Sequence, residues 1–127
     1  NSQVNLDFHW MRLSEVYLMS AECAVRGYGN TGQGLTYINM LRTRAGAPTV
    51  DSYDLDFILD ERGRELSWEG KRRTDLVRFG KFTSSNYVWE WKGDDPVGIG
   101  VSDHLNIYPL NADDVIANPN LTQNPGY

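Results

Sequence analysis

The segment 61–80, ERGRELSWEGKRRTDLVRFG, contains ten charged residues. Glu61, Glu65 and Glu69 follow one another at four-residue intervals, so a helix would present them on one face. Paired carboxylates act as general acid and base in glycosidases, whereas carboxylates beside Arg form forked ion pairs. Two chemistries are therefore open to this segment, an acid–base pair and an internal ion-pair clamp.

The clamp is the favoured interpretation of these carboxylates. Many Arg residues lie close to them in the sequence and would hold them ionised, whereas a general acid must keep its proton. Acidic residues four positions apart are also typical of an ordinary charged helix face. The Ser, His and Asp residues occur without a nucleophile-elbow sequence, so no enzyme activity is predicted.

Hydrophobic periodicity predicts the helices that would position this segment. Residues 8–26 and 35–45 show helical spacing, which predicts an antiparallel helix pair. A third helix follows the candidate caps Ser52 and Asp54 and stops at Gly70. Residues 72–79 add two turns, with Gly80 as a candidate C-cap. Beyond Lys81 the pattern is irregular, apart from a helical turn capped by Asn111.

The first predicted helix is expected to be buried on both sides. Glu15 and Glu22 lie opposite its main stripe and are flanked by Leu18 and Met19. Apolar residues on both faces suggest that absent residues cover part of this surface. The main stripe consists of Leu13, Val16, Tyr17, Ser20, Ala21 and Ala24.

Two Arg residues fall on the apolar stripes of the other helices, Arg42 on the second and Arg62 on the third. A buried, unpaired guanidinium is strongly destabilising, so each of them requires a carboxylate partner. The expected structural charge clamp consists of Glu15, Glu22, Arg42, Arg62, Glu65, Glu69 and Arg72.

Length and composition exclude several classes of protein. A chain of 127 residues suits one domain, and a net charge of -5 argues against a nucleic-acid partner. Cys23 is the single cysteine, which excludes an internal disulfide, and it is expected to be a small buried residue. His9 and His104 lack the spacing of a zinc motif, and the glycine-rich segment after the first helix does not follow a strand. No metal and no cofactor are predicted.

Four segments occur in the order seen in one known family. RLSEVYLMSAE, YINMLRTRAG and NPNLTQNPGY resemble its helical and terminal motifs. ERGRELSWEGKRRTDLVRFG is similar to its ERrxELxxEGxRxxDLxRwG signature. Together they identify the chain as resembling the C-terminal region of the SusD/RagB family of bacterial surface nutrient-binding lipoproteins. Gly63, Arg73 and Asn111 depart from the usual residues of that family.

The resemblance implies an all-α fold of tetratricopeptide-like helix pairs with a long irregular C-terminal loop region. It also implies that residues 1–127 are the C-terminal domain of a longer protein. Such proteins are anchored by an N-terminal lipid to the outer face of the outer membrane. They bind oligosaccharides or other nutrients without cleaving them and pass them to a SusC-like TonB-dependent transporter.

The aromatic residues Tyr87, Trp89 and Trp91 alternate as in a short strand and are the candidate ligand-binding residues. Sugar rings present apolar C–H faces that stack on aromatic planes, so exposed rings here would form a glycan platform. The alternative is that these rings cover the helical core. In that case the chain would be a helical interaction module docking on the transporter, with the ligand site elsewhere.

Overall fold

The structure, a computed structural model, describes residues 10–127. This part of the chain is built from helices and turns without a β-strand, which confirms the all-α prediction. Short 3₁₀ turns occur at Lys92–Asp94 and Asp103–Asn106. The α-helices are α1 (Leu13–Val25), α2 (Thr31–Arg44), α3 (Leu55–Glu65), α4 (Arg72–Arg78) and α5 (Ala112–Ala117).

The chain divides into two compact units, Asn1–Arg72 and Arg73–Tyr127. The first unit contains α1, α2 and α3. The second contains α5, nearly all of α4 and the irregular region between them. The assignment of residues 1–127 to a single C-terminal domain stays a prediction.

The first two helices begin at different residues from those predicted. α1 begins at Leu13, after Arg12 in an extended conformation, and residues 8 and 9 of the prediction lie outside the described residues. α2 begins at Thr31, four residues earlier than predicted, because the Asn30 side chain accepts a hydrogen bond from the Gln33 amide at 3.0 Å. The cap lies inside a glycine-rich segment whose composition predicts a loop.

The third helix begins where the sequence predicts and ends earlier. Asp54 caps it by accepting a hydrogen bond from the Phe57 amide at 2.8 Å. The helix ends at Glu65 rather than at Gly70, because the chain turns at once and Trp68 adopts a left-handed conformation with φ 65°. Glu69 therefore lies in a turn and not on the helix.

The core of the first unit lies where α1 packs against both α2 and α3. Gly34 of α2 allows the close approach to α1, since a β-carbon there would lie 3.0 Å from the Ala21 α-carbon and 2.0 Å from the Tyr53 hydroxyl. The antiparallel α1–α2 pair is consistent with a tetratricopeptide-like arrangement. The fully buried side chains are Leu18, Ile38, Ile58 and Leu59.

The predicted main stripe of α1 is corrected by the structure. Leu13, Val16 and Ser20 are exposed, whereas Ala21 and Ala24 are buried. The helix is rotated because its two acidic residues point inward, towards basic side chains. Cys23 is exposed, which also corrects the prediction of a buried thiol. The residues of α1 that are buried are Ser14, Glu15, Leu18, Ala21, Glu22 and Ala24.

The second unit is mostly irregular, and Arg73 organises one part of it. Its guanidinium lies 3.8 Å from the Tyr108 ring centroid and 4.9 Å from that of Phe82. It also donates a hydrogen bond to the Leu105 carbonyl oxygen at 2.7 Å. The planar guanidinium of Arg73 thus contacts two aromatic rings and one backbone carbonyl group at once.

Further along the second unit, Asn111 caps α5 by accepting a hydrogen bond from the Asp113 amide at 2.9 Å. Gly80 follows α4 with φ 67°, the left-handed conformation expected of a C-cap. The short strand predicted around Trp89 is not formed, because Trp91 is left-handed with φ 67° and leads into a 3₁₀ turn.

Candidate functional site

The candidate ligand-binding residues lie in an irregular loop, residues 81–101, of the second unit. Trp89 and Trp91 are 41% and 67% exposed, whereas Tyr87 is half-buried. The Trp89 ring also contacts Phe82, with ring centroids 6.2 Å apart at an interplanar angle of 33°. The loop therefore exposes two indoles to solvent, and one of them, that of Trp89, contacts a second aromatic ring.

Lys92 lies at the centre of this loop and is 3% exposed. Its ammonium donates hydrogen bonds to the carbonyl oxygens of Ser84 at 2.5 Å and Tyr87 at 2.6 Å, with that of Lys81 at 3.5 Å. It also lies 4.8 Å from the centroid of the Trp89 ring. Burial lowers the pKa of Lys92. The sequence analysis missed this residue, because a single Lys between aromatic residues looks like surface charge.

The two indoles are held by a backbone that folds back on itself. The Ile99 amide donates to the Lys92 carbonyl oxygen at 3.0 Å, and the Val101 amide donates to that of Thr83 at 2.9 Å. Gly98 is required here, since it has φ 82° and a β-carbon would lie 2.2 Å from the Trp89 carbonyl oxygen. The arrangement can hold exposed aromatic planes in place before a ligand arrives.

The charge clamp lies in the first unit. Arg62 is 4% exposed, and its Nη2 lies 3.4 Å from the Oε1 of the Glu15 carboxylate. The Lys71 ammonium lies 3.2 Å from Glu15 Oε2, in an ion contact without hydrogen-bond geometry. Glu22 accepts a hydrogen bond at 2.8 Å from Arg26, the residue that directly follows α1. Both acidic residues of α1 therefore face cations.

Arg12, directly before α1, forms ion pairs with the last residue of α3 and with a residue of the turn that follows it. Its Nε lies 2.9 and 3.0 Å from the two carboxylate oxygens of Glu69, and its Nη1 lies 2.5 Å from Glu65. Arg44 reaches the same Glu65 oxygen at 2.5 Å. The sequence analysis did not include Arg12 in the clamp. Its place as the first residue of the RLSEVYLMSAE segment, three residues before Glu15, could have suggested such a role.

These contacts change the titration of both carboxyl groups. The hydrogen bond from Arg12 lowers the pKa of Glu69, against a smaller opposing effect of burial. For Glu65, burial raises the pKa, but the hydrogen bonds from Arg12, Arg44 and Ser14 and the charge of Arg12 together outweigh it and lower the pKa overall. Both groups are thus kept ionised, as an ion-pair clamp requires and a general acid does not.

Arg42 is paired differently from the expectation. It donates to Glu61 at 2.8 Å and to the Pro48 carbonyl oxygen at 2.6 Å, whereas Glu65 pairs with Arg44 at the end of the same helix. Arg72 donates to the Leu59 carbonyl oxygen at 2.6 Å and lies 3.9 Å from Asp60. Its guanidinium lies close to Gly63, so that a β-carbon there would be 2.8 Å from the Arg72 Nη1.

Two further features bear on the kind of site. Within residues 10–127, no group of three or more His, Cys, Asp or Glu side chains is placed to hold a metal ion. In the same part of the chain, none of the helices combines the length and the apolar character that crossing a bilayer requires.

Comparison with known proteins gives a consistent result. The family described as the SusD family matches residues 1–127. The Starch-binding protein SusD of Bacteroides thetaiotaomicron is 42% identical over 123 residues, which are 95% of this chain and 22% of that protein.

Solved structures agree with this match. Surface glycan-binding protein A from Bacteroides thetaiotaomicron superimposes with a TM-score of 0.80 at 32% identity, covering 95% of this chain and 25% of that one. The same protein in complex with laminarihexaose gives a TM-score of 0.79 at 32% identity, over 94% and 25% of the two chains. The chain thus spans about a quarter of the length of these relatives. This chain belongs to the SusD family.

Proposed function

We propose that this chain of 127 residues is the C-terminal part of a longer glycan-binding protein, referred to below as the parent protein. Relatives support this proposal, since one is named as starch-binding and another was solved with laminarihexaose. The observation in this chain that carries it is the pair of exposed indoles, Trp89 and Trp91, fixed by a closed loop. The glycan would stack its C–H faces on these rings.

Binding at such a platform draws its free energy from stacking and from the low ordering cost of a preformed surface. The Lys92 ammonium and the folded-back backbone already hold the loop, so few rotamers are lost when a sugar arrives. An oligosaccharide long enough to cover two rings would bind more tightly than a single sugar.

The parent protein is proposed to be non-catalytic. The carboxylates with the most suggestive spacing, Glu61, Glu65 and Glu69, are engaged by Arg side chains. A glycosidase requires two carboxyl groups facing each other across a substrate cleft, one of them protonated. By its family, the parent protein would lie on the outer face of the outer membrane, held by an N-terminal lipid. It would deliver glycan to a SusC-like TonB-dependent transporter.

The test is glycan binding by the parent protein and by its Trp89→Ala, Trp91→Ala double variant. Starch, laminarin and a set of plant polysaccharides would be titrated by calorimetry or retarded in affinity gels. We expect one glycan to bind and the double variant to lose at least about fivefold in affinity, since stacking on two rings contributes about 1–3 kcal/mol. Val97→Ala in the same loop, which removes an exposed apolar side chain without a ring, is the matched control.

A parent protein that binds none of these glycans would contradict the proposed function. A folded double variant with unchanged affinity would instead favour the alternative, in which this region is a helical module docking on the transporter. The exposed apolar side of α1 is the observation that keeps this alternative open. Melting curves of every variant would separate loss of a ligand contact from loss of the fold.

A further inference from the structure

The charged side chains next to the two indoles in the sequence are acidic, apart from the buried Lys92. Glu90 lies between the two indole residues, and Asp94 and Asp95 lie at the 3₁₀ turn that follows them. Glu90 and Asp94 are exposed, and Asp95 is half-buried. Within residues 10–127, none of these three carboxylates forms an ion pair. The three residues, called here the acidic group, therefore place negative charge without a counterion beside the indoles.

The same segment offers no exposed cation to a ligand. Between residues 82 and 101, Lys92 is the only Lys or Arg, and it is 3% exposed. Its ammonium is already bonded to the carbonyl oxygens of Ser84 and Tyr87. Carboxylate and sulfate groups are usually recognised by Lys or Arg side chains that remain free to donate to them. An anionic sugar on this loop would therefore meet the acidic group without a compensating positive charge.

The groups that remain available on the indoles suit an uncharged ligand. In the part of the chain that the structure describes, the Nε1–H groups of Trp89 and Trp91 donate no hydrogen bond. Each of them can donate to a sugar hydroxyl, while the ring face stacks on C–H groups. Hydroxyl groups and C–H faces are the groups that an uncharged glycan presents.

We propose that the site at Trp89 and Trp91 takes an uncharged glycan and discriminates against glycans that carry carboxylate or sulfate groups. This inference rests on the proposed function, because it specifies the ligand class of the same site. The acidic group acts by repulsion and need not touch the sugar. The Cα atom of Glu90 lies about 3.8 Å from those of both indole residues, since it is bonded into the chain between them. At an ionic strength of about 0.15 M the screening length is about 8 Å, so this repulsion is only partly screened.

Two derivatives of one polysaccharide separate the effect of charge from that of size. Carboxymethyl and hydroxyethyl ethers add substituents of similar size, but only the carboxymethyl ether is anionic. Both ethers of starch, of laminarin and of each plant polysaccharide in the panel would be titrated into the parent protein by calorimetry. EDTA would be present, so that no divalent cation bridges two carboxylates. We expect the hydroxyethyl ether to bind at least about threefold more tightly at about 0.15 M ionic strength, and by a larger factor at about 0.01 M.

Neutral variants show whether the acidic group causes this selectivity. Glu90→Gln combined with Asp94→Asn removes two charges and nearly preserves the shape of both side chains. Asn is also compatible with the left-handed φ of 63° at residue 94. The ratio between the affinities for the two ethers should fall by about twofold or more. Asp113→Asn combined with Asp114→Asn is the matched control, since it removes two charges from α5, outside the loop, and should leave the ratio unaltered.

The possible outcomes distinguish this inference from the proposed function. Equal binding of the two ethers, or tighter binding of the carboxymethyl ether, would overturn the inference and leave glycan binding in place. Selectivity that persists unchanged in the Glu90→Gln, Asp94→Asn variant would also overturn it, because the responsible charges would then lie elsewhere. If the parent protein binds none of the unmodified polysaccharides, the proposed function itself fails and the inference fails with it.

Discussion

At the scale of single residues, the chain is notable for charges that lie inside it. Arg62 and Glu15 are both buried, and Arg12 engages Glu65 and Glu69 at the edge of the same unit. A buried ion pair seldom adds much stability over a well-packed apolar pair, but breaking it leaves a charge without its counterion. Residues 61–80 therefore supply ion pairs that connect α3 and the turn after it to α1 and to Arg12.

Replacing Arg62 by Met should lower the free energy of unfolding by about 3 kcal/mol, because the buried Glu15 then keeps only the Lys71 ammonium beside it. Urea denaturation of the parent protein would measure this. The double variant Glu15→Leu, Arg62→Met should recover much of the loss. Arg64→Met is the control, since that side chain is 55% exposed and its removal should change stability by less than about 1 kcal/mol. Equal losses in both single variants would contradict a special role for the buried pair.

Acid should weaken the contact that Arg12 makes with Glu65 and Glu69. Both carboxyl groups have a folded pKa below the ordinary value of 4.5. Their ionised forms therefore stabilise the fold above pH 4.5, and this contribution is lost as the pH falls through the lower folded pKa. Arg12→Gln should make the free energy of unfolding less dependent on pH in this acid range.

Denaturant titrations at several pH values below neutrality would show the change. Arg12→Lys keeps the charge but not the forked hydrogen bonds, so its pH dependence should lie between those of Arg12→Gln and the unaltered protein. An unaltered slope in Arg12→Gln would show that other groups dominate acid unfolding.

At the scale of elements, the loop 81–101 depends on a buried cation in place of regular secondary structure. The Lys92 ammonium donates hydrogen bonds to the carbonyl oxygens of Ser84 and Tyr87. In a β-sheet, such carbonyl groups would accept hydrogen bonds from the backbone amides of a neighbouring strand. The prediction of a strand at Trp89 and Trp91 was wrong for this reason. Alternation of side chains is a local pattern, whereas the partner of these carbonyl groups is five or more residues distant.

Lys92→Met should loosen this loop while leaving the first unit intact, because the carbonyl groups of Ser84 and Tyr87 lose a buried donor. Hydrogen exchange at the Ile99 and Val101 amides, which close the loop, should accelerate by about tenfold or more. Exchange in α1 and α2 should not change. Lys92→Arg keeps the charge in a larger group and is the informative comparison. Unchanged exchange at both amides in Lys92→Met would contradict the central role of this ammonium.

The helices themselves were well predicted where the signal was local. Asp54 and Asn111 cap α3 and α5, as their positions before apolar or acidic turns suggested. Asn30 does the same for α2, but the glycines around it hid the cap. The predicted end of α3 was wrong because Trp68 adopts a left-handed conformation, which its residue type does not favour. Glu69, in the turn at this point, is bound by Arg12, a residue distant in the sequence.

At the scale of the whole molecule, the exposed indoles of Trp89 and Trp91 are proposed to bind a glycan. A glycan titration of the parent protein tests this proposal, and its outcome does not depend on the ion pairs of the first unit.

The sequence by itself determined the family, the helical class and the approximate order of the helices. These follow from side chains close together in the chain, such as caps, apolar spacing and the four motifs. Only the tertiary structure decided which side of α1 is buried, that Arg42 pairs with Glu61, and that Lys92 organises the aromatic loop. The physical reason is that the environment of a charge depends on groups distant in sequence, so burial of Glu15 or Lys92 is possible only once their partners are in place.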